Sequence, residues 1–296
     1  MSEAVNGILL LDKPRGLTSN AALQKAKKLL KARKAGHTGS LDPMATGLLP
    51  LCFGEGTKAS KFLLEADKRY WTTLQLGQET TTGDAEGEVG EEAEVAVSEA
   101  QVREVLGRFL GEIEQVPSIY SAIKQGGEPL YKKARRGEDV DQPKSREIEI
   151  YSLDLLRLDG DKLELDIRCS KGTYIRTLAT DIGRALGCYA HLAELRRTES
   201  GPFRIDGAVT LEALEADPPE ERRERLLPVD SALAAFPAVE LGETAAYYLL
   251  QGQPVMVPKA PEGQFLRLYD DEGRFLGVGA TLADGRVTPK RLFHLN

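Results

Sequence analysis

The sequence predicts an α+β protein in two parts, a larger domain over residues 1–230 and a small β-rich domain over 238–296. Three observations carry that expectation. Apolar residues recur at helical spacing around 19–30, 98–109 and 175–186; strand-like runs and a hairpin signal lie between them; and after about residue 237 the pattern changes to short apolar runs separated by Gly, Pro and DEG or ADG turns. A chain of 296 residues has room for about two domains and a substantial core.

Taken in order, 8–11 is an apolar run bounded by Gly7 and by Pro14-Arg15-Gly16, which predicts a strand ending in a turn. Ser19 can cap the helix that follows, where Leu23, Ala26, Leu29 and Leu30 share one side and lysines fill the other. A buried strand is expected over 48–53 and a short helix over 57–64. Alternation over 69–76 sets Tyr70, Thr72, Leu74 and Leu76 on one face of a strand. The acidic stretch DAEGEVGEEAE at 84–94 predicts an exposed loop. Ser98 and Gln101 form a capping box ahead of the stripe Val102, Val105, Leu106 and Phe109. Residues 117–146 carry Pro, paired Gly, Tyr and basic side chains with little periodicity, the mark of a segment that orders on meeting a partner. A hairpin is expected from 148–158 to 163–169 around Asp159-Gly160-Asp161, then a helix marked by Ile175, Leu178, Ile182 and Leu186, then a strand over 191–197. Helix-like, charge-rich sequence ends at Leu227-Pro228, and PVMVP, FLRLYD, RFLGVGATL and RVTPKRLF follow at the spacing of a small β-barrel or roll.

Composition narrows the function. Hydrophobic content of 41% and charged content of 29% fit a soluble globular chain. The N-terminal apolar run is too short for a signal peptide and nothing approaches a membrane span, so the cytoplasm is expected. Three cysteines, Cys52, Cys169 and Cys188, make no disulfide framework, and His37, His191 and His294 have no zinc-site spacing, so no metal is expected. GEGTK at 54–58 lacks the spacing of a nucleotide-binding P-loop. The net charge of −7 argues against nucleic acid when taken whole. Its distribution argues otherwise: from Lys13 to Lys34 eight basic residues occur with no acidic one, and Lys132, Lys133, Arg135 and Arg136 form a second cluster.

The chemistry concentrates in HTGSLDPMATG at 37–47. Pro43 biases Asp42 toward an extended backbone, and Gly36, Gly39 and Gly47 leave the loop open to close approach. The carboxylate is aimed from a loop with few side chains.

Residues 36–58, GHTGSLDPMATGLLPLCFGEGTK, closely resemble the catalytic signature of the TruB family, bacterial synthases of pseudouridine at position 55 of the tRNA T-loop. The resemblance continues in LLLDKPRGLTSN at 9–20, DKRYWTTLQLG at 67–77, PSIYSAIKQGGEPLYKKARRG at 117–137 and CSKGTYIRTLATDIG at 169–183, in the family's order over most of the chain. It implies a pseudouridine synthase domain with a mixed, mainly antiparallel sheet and a central RNA cleft, a flexible RNA-binding insertion about 117–146, and a PUA-like RNA-binding domain at 238–296. Asp42 is then the nucleophile or base, Arg176 the cation that keeps it ionised, and Tyr70 the group that stacks on the everted uracil and handles its proton. Tyr174, beside Arg176, and Leu195, a pocket wall, complete the site. His37 fills the vacated stack, and Lys13 and Lys58 with the basic helix meet phosphates. The reaction adds and removes no group, so no cofactor is implied, and a monomer acting on the T-arm of tRNA needs no protein partner. Gly56 stands where family members often carry alanine. A non-catalytic tRNA-binding or tRNA-folding protein that uses the same cleft is the alternative, with a guide-RNA-dependent synthase and a glycosidase-like hydrolase behind it.

Overall fold

The protein is described here from a computed structural model that covers residues 4–121, 123–262 and 265–295. The side chains of Lys132 and Arg135 lie outside the described residues, so the second basic cluster is represented by Lys133 and Arg136.

Strand β1 (Gly7–Lys13) is buried along nearly its whole length. Helix α1 (Ser19–Leu29) is capped by Thr18, whose hydroxyl accepts the Ala21 N–H, and not by Ser19 as expected. Ser19 lies one residue inside the helix and is buried. β2 (Ala35–His37) pairs antiparallel with β3 (Thr46–Phe53). The helix expected over 57–64 starts as a 3-10 turn, Gly54–Ala59, and becomes α2 at Ser60–Leu64. Gly56 has a physical reason here, since a Cβ on it would stand 2.6 Å from the Gly7 carbonyl oxygen.

β4 (Lys68–Leu76) buries Tyr70, Thr72, Leu74 and Leu76 as its alternation predicts. β5 (Gln78–Thr80) and β6 (Val89–Glu92) form an antiparallel pair. The stretch 84–94 is therefore more than an exposed acidic loop: main-chain pairing orders its second half, and Asp84 is buried. α3 (Glu99–Gly107) opens with both halves of the expected capping box. β7 (Gly111–Gln115) follows, then β8 (Lys124–Gln125), β9 (Glu128–Pro129) and α4 (Leu130–Arg135), so the aperiodic insertion carries local structure. Arg136 in this segment is held by Glu128 through two bonds of 2.8 and 2.9 Å.

β10 (Arg146–Asp159) and β11 (Lys162–Cys169) make the expected hairpin, with Asp159 opposite Lys162 across a two-residue turn. α5 (Ile175–Leu186) stops at Gly187 in the left-handed conformation. After it come β12 (Ala190–Ser200), β13 (Phe203–Arg204), α6 (Leu211–Ala216), β14 (Ala238–Leu241), α7 (Glu243–Leu250), β15 (Val255–Met256), β16 (Phe265–Asp270), β17 (Phe275–Thr281) and β18 (Arg286–Leu292).

The chain divides into two compact units. The first joins Met1–Asp42, Leu48–Glu65 and Ser200–Asn296. In it Ile8 bridges to Leu227 and Leu11 to Val209, and one apolar cluster gathers Ile8, Leu10, Leu48, Leu63, Phe203, Leu233 and Phe293. A five-stranded sheet in the order β14-β16-β17-β18-β15 has a second cluster of its own around Leu241, Leu249, Leu266, Leu268 and Val287. The second unit is Pro43–Gly47 with Ala66–Glu199. Its sheet runs β12-β4-β11-β10-β7, with antiparallel pairing from β4 to β7 and a parallel pairing of Thr46 and Gly47 with Arg196 and Arg197. The architecture is α+β with a mixed, mainly antiparallel sheet.

Candidate active site

The Asp42 loop belongs to the first unit and is held by short polar side chains. Because Thr18 caps α1, the Ser19 hydroxyl is available for another task. It accepts the Leu41 N–H at 2.7 Å and donates to the Leu41 carbonyl at 3.1 Å, so one oxygen satisfies both peptide groups of the residue before Asp42. Thr38, fully buried, places its N–H and its hydroxyl on the same Pro50 carbonyl. His37 is half-buried on β2 opposite Leu51. Asp42 itself is half-buried. In the second unit, the chain beyond Pro43 is fixed by Gly47 at φ 98°. A Cβ there would stand 2.4 Å from the Arg197 carbonyl oxygen, so only glycine permits this strand pairing.

Arg176 lies in the first turn of α5 and is buried, with a guanidinium that satisfies several acceptors at once. Nη1 donates to the Thr82 carbonyl at 3.1 Å and Nη2 to the Tyr120 carbonyl at 2.9 Å. Nη1 is also 3.4 Å from a carboxylate oxygen of Asp84. A fixed planar fork suits such divided bonding, which a lysine ammonium cannot copy. Asp84 is 3% exposed, and its other oxygen accepts the Thr82 hydroxyl at 2.6 Å and the Glu86 N–H at 3.1 Å. Its backbone neighbours lock onto β12, with Ala85 N–H donating to the Leu192 carbonyl and Leu192 N–H to the Gly83 carbonyl, each at 3.0 Å. Asp84 was not among the residues expected at the site. Its signal was the run Thr80-Thr81-Thr82-Gly83-Asp84, short hydroxyls and a glycine before an aspartate whose side chain bonds its own backbone two residues on, which is turn chemistry and not a solvated acidic tract.

Tyr70 on β4 is 8% exposed and faces Ile167 across the ladder. Leu195 is buried on the adjacent strand β12, where the Thr72 hydroxyl donates to the Glu194 carbonyl at 2.6 Å. Tyr174 is the N-cap of α5. The second unit therefore carries Tyr70 on β4, Leu195 on β12, and Tyr174 and Arg176 at the start of α5.

Two of the residues expected at phosphates, Lys13 and Lys58, make contacts within the protein. Lys13 is fully buried, and its ammonium donates to the carbonyls of Pro14 and Leu17 at 3.0 and 2.7 Å. It closes the turn into α1 and does not face solvent. Lys58 pairs with Glu55 and donates to the Leu292 carbonyl at 2.9 Å, tying the 3-10 turn to the end of β18. Burial opposes the Glu55 charge, but the Lys58 ammonium and the His294 N–H outweigh it and hold that carboxyl below its usual range. Between Lys13 and Lys34 the exposed cations are Arg15, Lys25, Lys28, Lys31, Arg33 and Lys34.

Comparison with known proteins gives a consistent answer. The family model described as TruB family pseudouridylate synthase, N-terminal domain, matches residues 27–175. A tRNA pseudouridylate synthase B C-terminal domain matches 176–234, and a pseudouridine synthase II TruB C-terminal domain matches 237–293. The chain is 56% identical over 294 residues to tRNA pseudouridine synthase B of Ectopseudomonas mendocina, covering 98% of this chain and 96% of the relative. It is 57% identical over 292 residues to the protein of that name from Stutzerimonas stutzeri, covering 97% and 95%. Among solved structures it resembles a chain of a Cbf5-Nop10-Gar1 complex, with 26% identity and a TM-score of 0.76, covering 98% of this chain and 85% of that one.

Proposed function

The chain belongs to the TruB family of pseudouridine synthases, and on that premise we propose how its residues isomerise uridine 55 in the T-loop of tRNA. The bond from N1 to C1′ breaks, the uracil turns, C5 joins C1′, and the C5 proton leaves to solvent while N1 takes up a proton, so the product is an isomer of the substrate. No electron or group is exchanged with a second molecule. Asp42 is the nucleophile or base at the sugar-base junction, and Arg176 stabilises its charge, since a carboxylate in a dry pocket otherwise tends to protonate. Tyr70 stacks on the everted base and assists removal of the C5 proton. Leu195 keeps water from the opened intermediate. His37 takes the place of the everted nucleotide in the T-loop stack. With Lys13 and Lys58 engaged elsewhere, the exposed lysines of α1 carry the phosphate contacts, which position the arm without reading its sequence.

The observation that carries this reading is the identity of more than half the residues over nearly the full length of synthases named for tRNA. Intact LDPMATG and GTYIR, and the burial of Arg176 among backbone carbonyls and Asp84, support chemistry over mere RNA holding. Residues 1–230 are proposed as the synthase domain, with 117–146 closing on RNA, and 238–296 as the RNA-binding domain, supported by that sheet's own apolar cluster and the exposed Lys290 and Arg291. Among the described residues no helix is long and apolar enough to cross a membrane; cytoplasmic action as a monomer completes the proposal.

T-arm RNA carrying tritium at uridine C5 tests it. Wild type releases label to solvent, and Asp42→Asn binds the RNA with a dissociation constant within about two-fold yet releases at least about 10³-fold more slowly. Equal release by both proteins rules out the aspartate, binding without release by wild type indicates a folding protein, and free uracil indicates hydrolysis.

A further inference from the structure

We infer that Gln115 is a positioning residue for Arg176, an inference that rests on the role proposed for Arg176 above. α5 begins without the usual support, because Tyr174 at its N-cap offers no side-chain hydrogen bond to the first turn. Gln115 supplies support from the far end of β7. Its Oε1 accepts the Tyr174 N–H at 2.8 Å, and its Nε2 donates to the Tyr174 carbonyl at 3.1 Å. The same carbonyl accepts the Leu178 N–H at 3.0 Å, closing the first turn of the helix. A primary amide carries the donor and the acceptor that match both peptide groups of one residue, and the opposite orientation of the amide would set donor against donor.

The two bonds flank the Tyr174 Cα and so fix its φ and ψ, at −98° and 106°. Those angles set the direction in which α5 leaves the turn. Arg176 follows two residues later, and its acceptors lie on segments outside the helix, at Thr82, Asp84 and Tyr120. Gln115 is 2% exposed, so water does not compete for its bonds. Its partner across the β7–β10 ladder is Arg146, whose guanidinium lies 5.4 Å from the centre of the Tyr174 ring. One cross-strand pair thus grips Tyr174 twice, by the backbone and by the ring. Catalytic groups need placement within about 0.5 Å and 10–20°, and an error of about 1 Å can cost on the order of 10²-fold in rate.

Gln115→Met tests the inference, since methionine keeps the volume and loses both hydrogen bonds. Single-turnover tritium release, tRNA dissociation constant and thermal melting are measured for wild type, Gln115→Met, Arg176→Ala and the double variant. Gln115→Met is expected to slow the chemical step by about 10–100-fold with the dissociation constant within about two-fold. Arg176→Ala slows it by about 10³-fold, and adding Gln115→Met costs less than about two-fold more, because the group being aimed is gone. A Gln115→Met variant that melts like wild type and turns over at the wild-type rate overturns the inference while leaving the role of Arg176 intact. So does an equal fractional loss in both backgrounds, which marks a contribution independent of Arg176. A wild-type rate in Arg176→Ala overturns both.

Discussion

The loop around Asp42 and the start of α5 around Arg176 are each organised to present one charged side chain, and they do so by different means. At Asp42 the described scaffold is built of neutral groups: a serine hydroxyl on both peptide groups of Leu41, a threonine on the Pro50 carbonyl, and one glycine, Gly47, where a Cβ cannot fit. At Arg176 the charge itself is part of the scaffold, shared among two carbonyls and a buried carboxylate. The neutral scaffold acts on the backbone around Asp42 through uncharged groups. A scaffold built on the charge fixes geometry firmly but fails as a unit when a member is removed.

That contrast sets an order of effects. Asp84→Ala has the largest: it strips the carboxylate from a buried guanidinium and leaves the Thr82 hydroxyl and Glu86 N–H without their acceptor, which should cost about 3–5 kcal/mol in denaturant unfolding and slow single-turnover tritium release at least about 10-fold. If stability falls and the rate does not, Arg176 is held well enough by carbonyls alone and the contrast weakens. Ser19→Ala should cost less, about 1–3 kcal/mol by the same measurement, for two peptide groups left to find water. A charge-free scaffold that loosens should lower the rate without changing the pH at which activity is half-maximal, and a moved pH profile would show that Ser19 acts on the carboxylate directly.

The smallest effect concerns Asp181, further along α5. Burial pushes its carboxyl above the usual range, with Glu79 adding to the rise and Arg184 opposing it. A folded value above the unfolded one, which is about 3.9, means that ionised Asp181 weakens the fold at neutral pH. Asp181→Asn should therefore raise the melting temperature at pH 7 by about 1–3 °C. The gain should shrink as pH falls through the raised folded value and vanish below the unfolded one. A gain that persists in acid would trace the effect to packing instead.

The sequence made the neutral scaffold far more legible than the charged one. Glycine and proline write their constraints locally, and so do capping boxes, which is why the 37–47 loop, the Ser98 helix start and the turn after Asp159 stand out from residues alone. Ser19 and Thr18 are equally good caps by type. What separates them is a partner, Leu41, 22 positions away. Lys13 resembled a surface cation because lysine usually is one, and only the fold brings the Pro14 and Leu17 carbonyls around its ammonium. Arg176, Asp84 and Tyr120 come from three separate segments, so no local pattern could join them. α7 was not foreseen either, since its run AAYYLL sits among strand-like segments and tertiary packing decided its form.

The pairing of early with late segments in one unit also shapes how the protein is made. Ile8 emerges from the ribosome long before Leu227, the residue it bridges. At about 5–20 residues per second the wait is on the order of 10–40 s. Throughout that interval the apolar strand at the N-terminus lacks its native cover, and chains released early should aggregate or recruit chaperones. The second unit is complete in sequence by Glu199 and can mature during translation, whereas the segment bearing Asp42 must await residues from Ser200 onward.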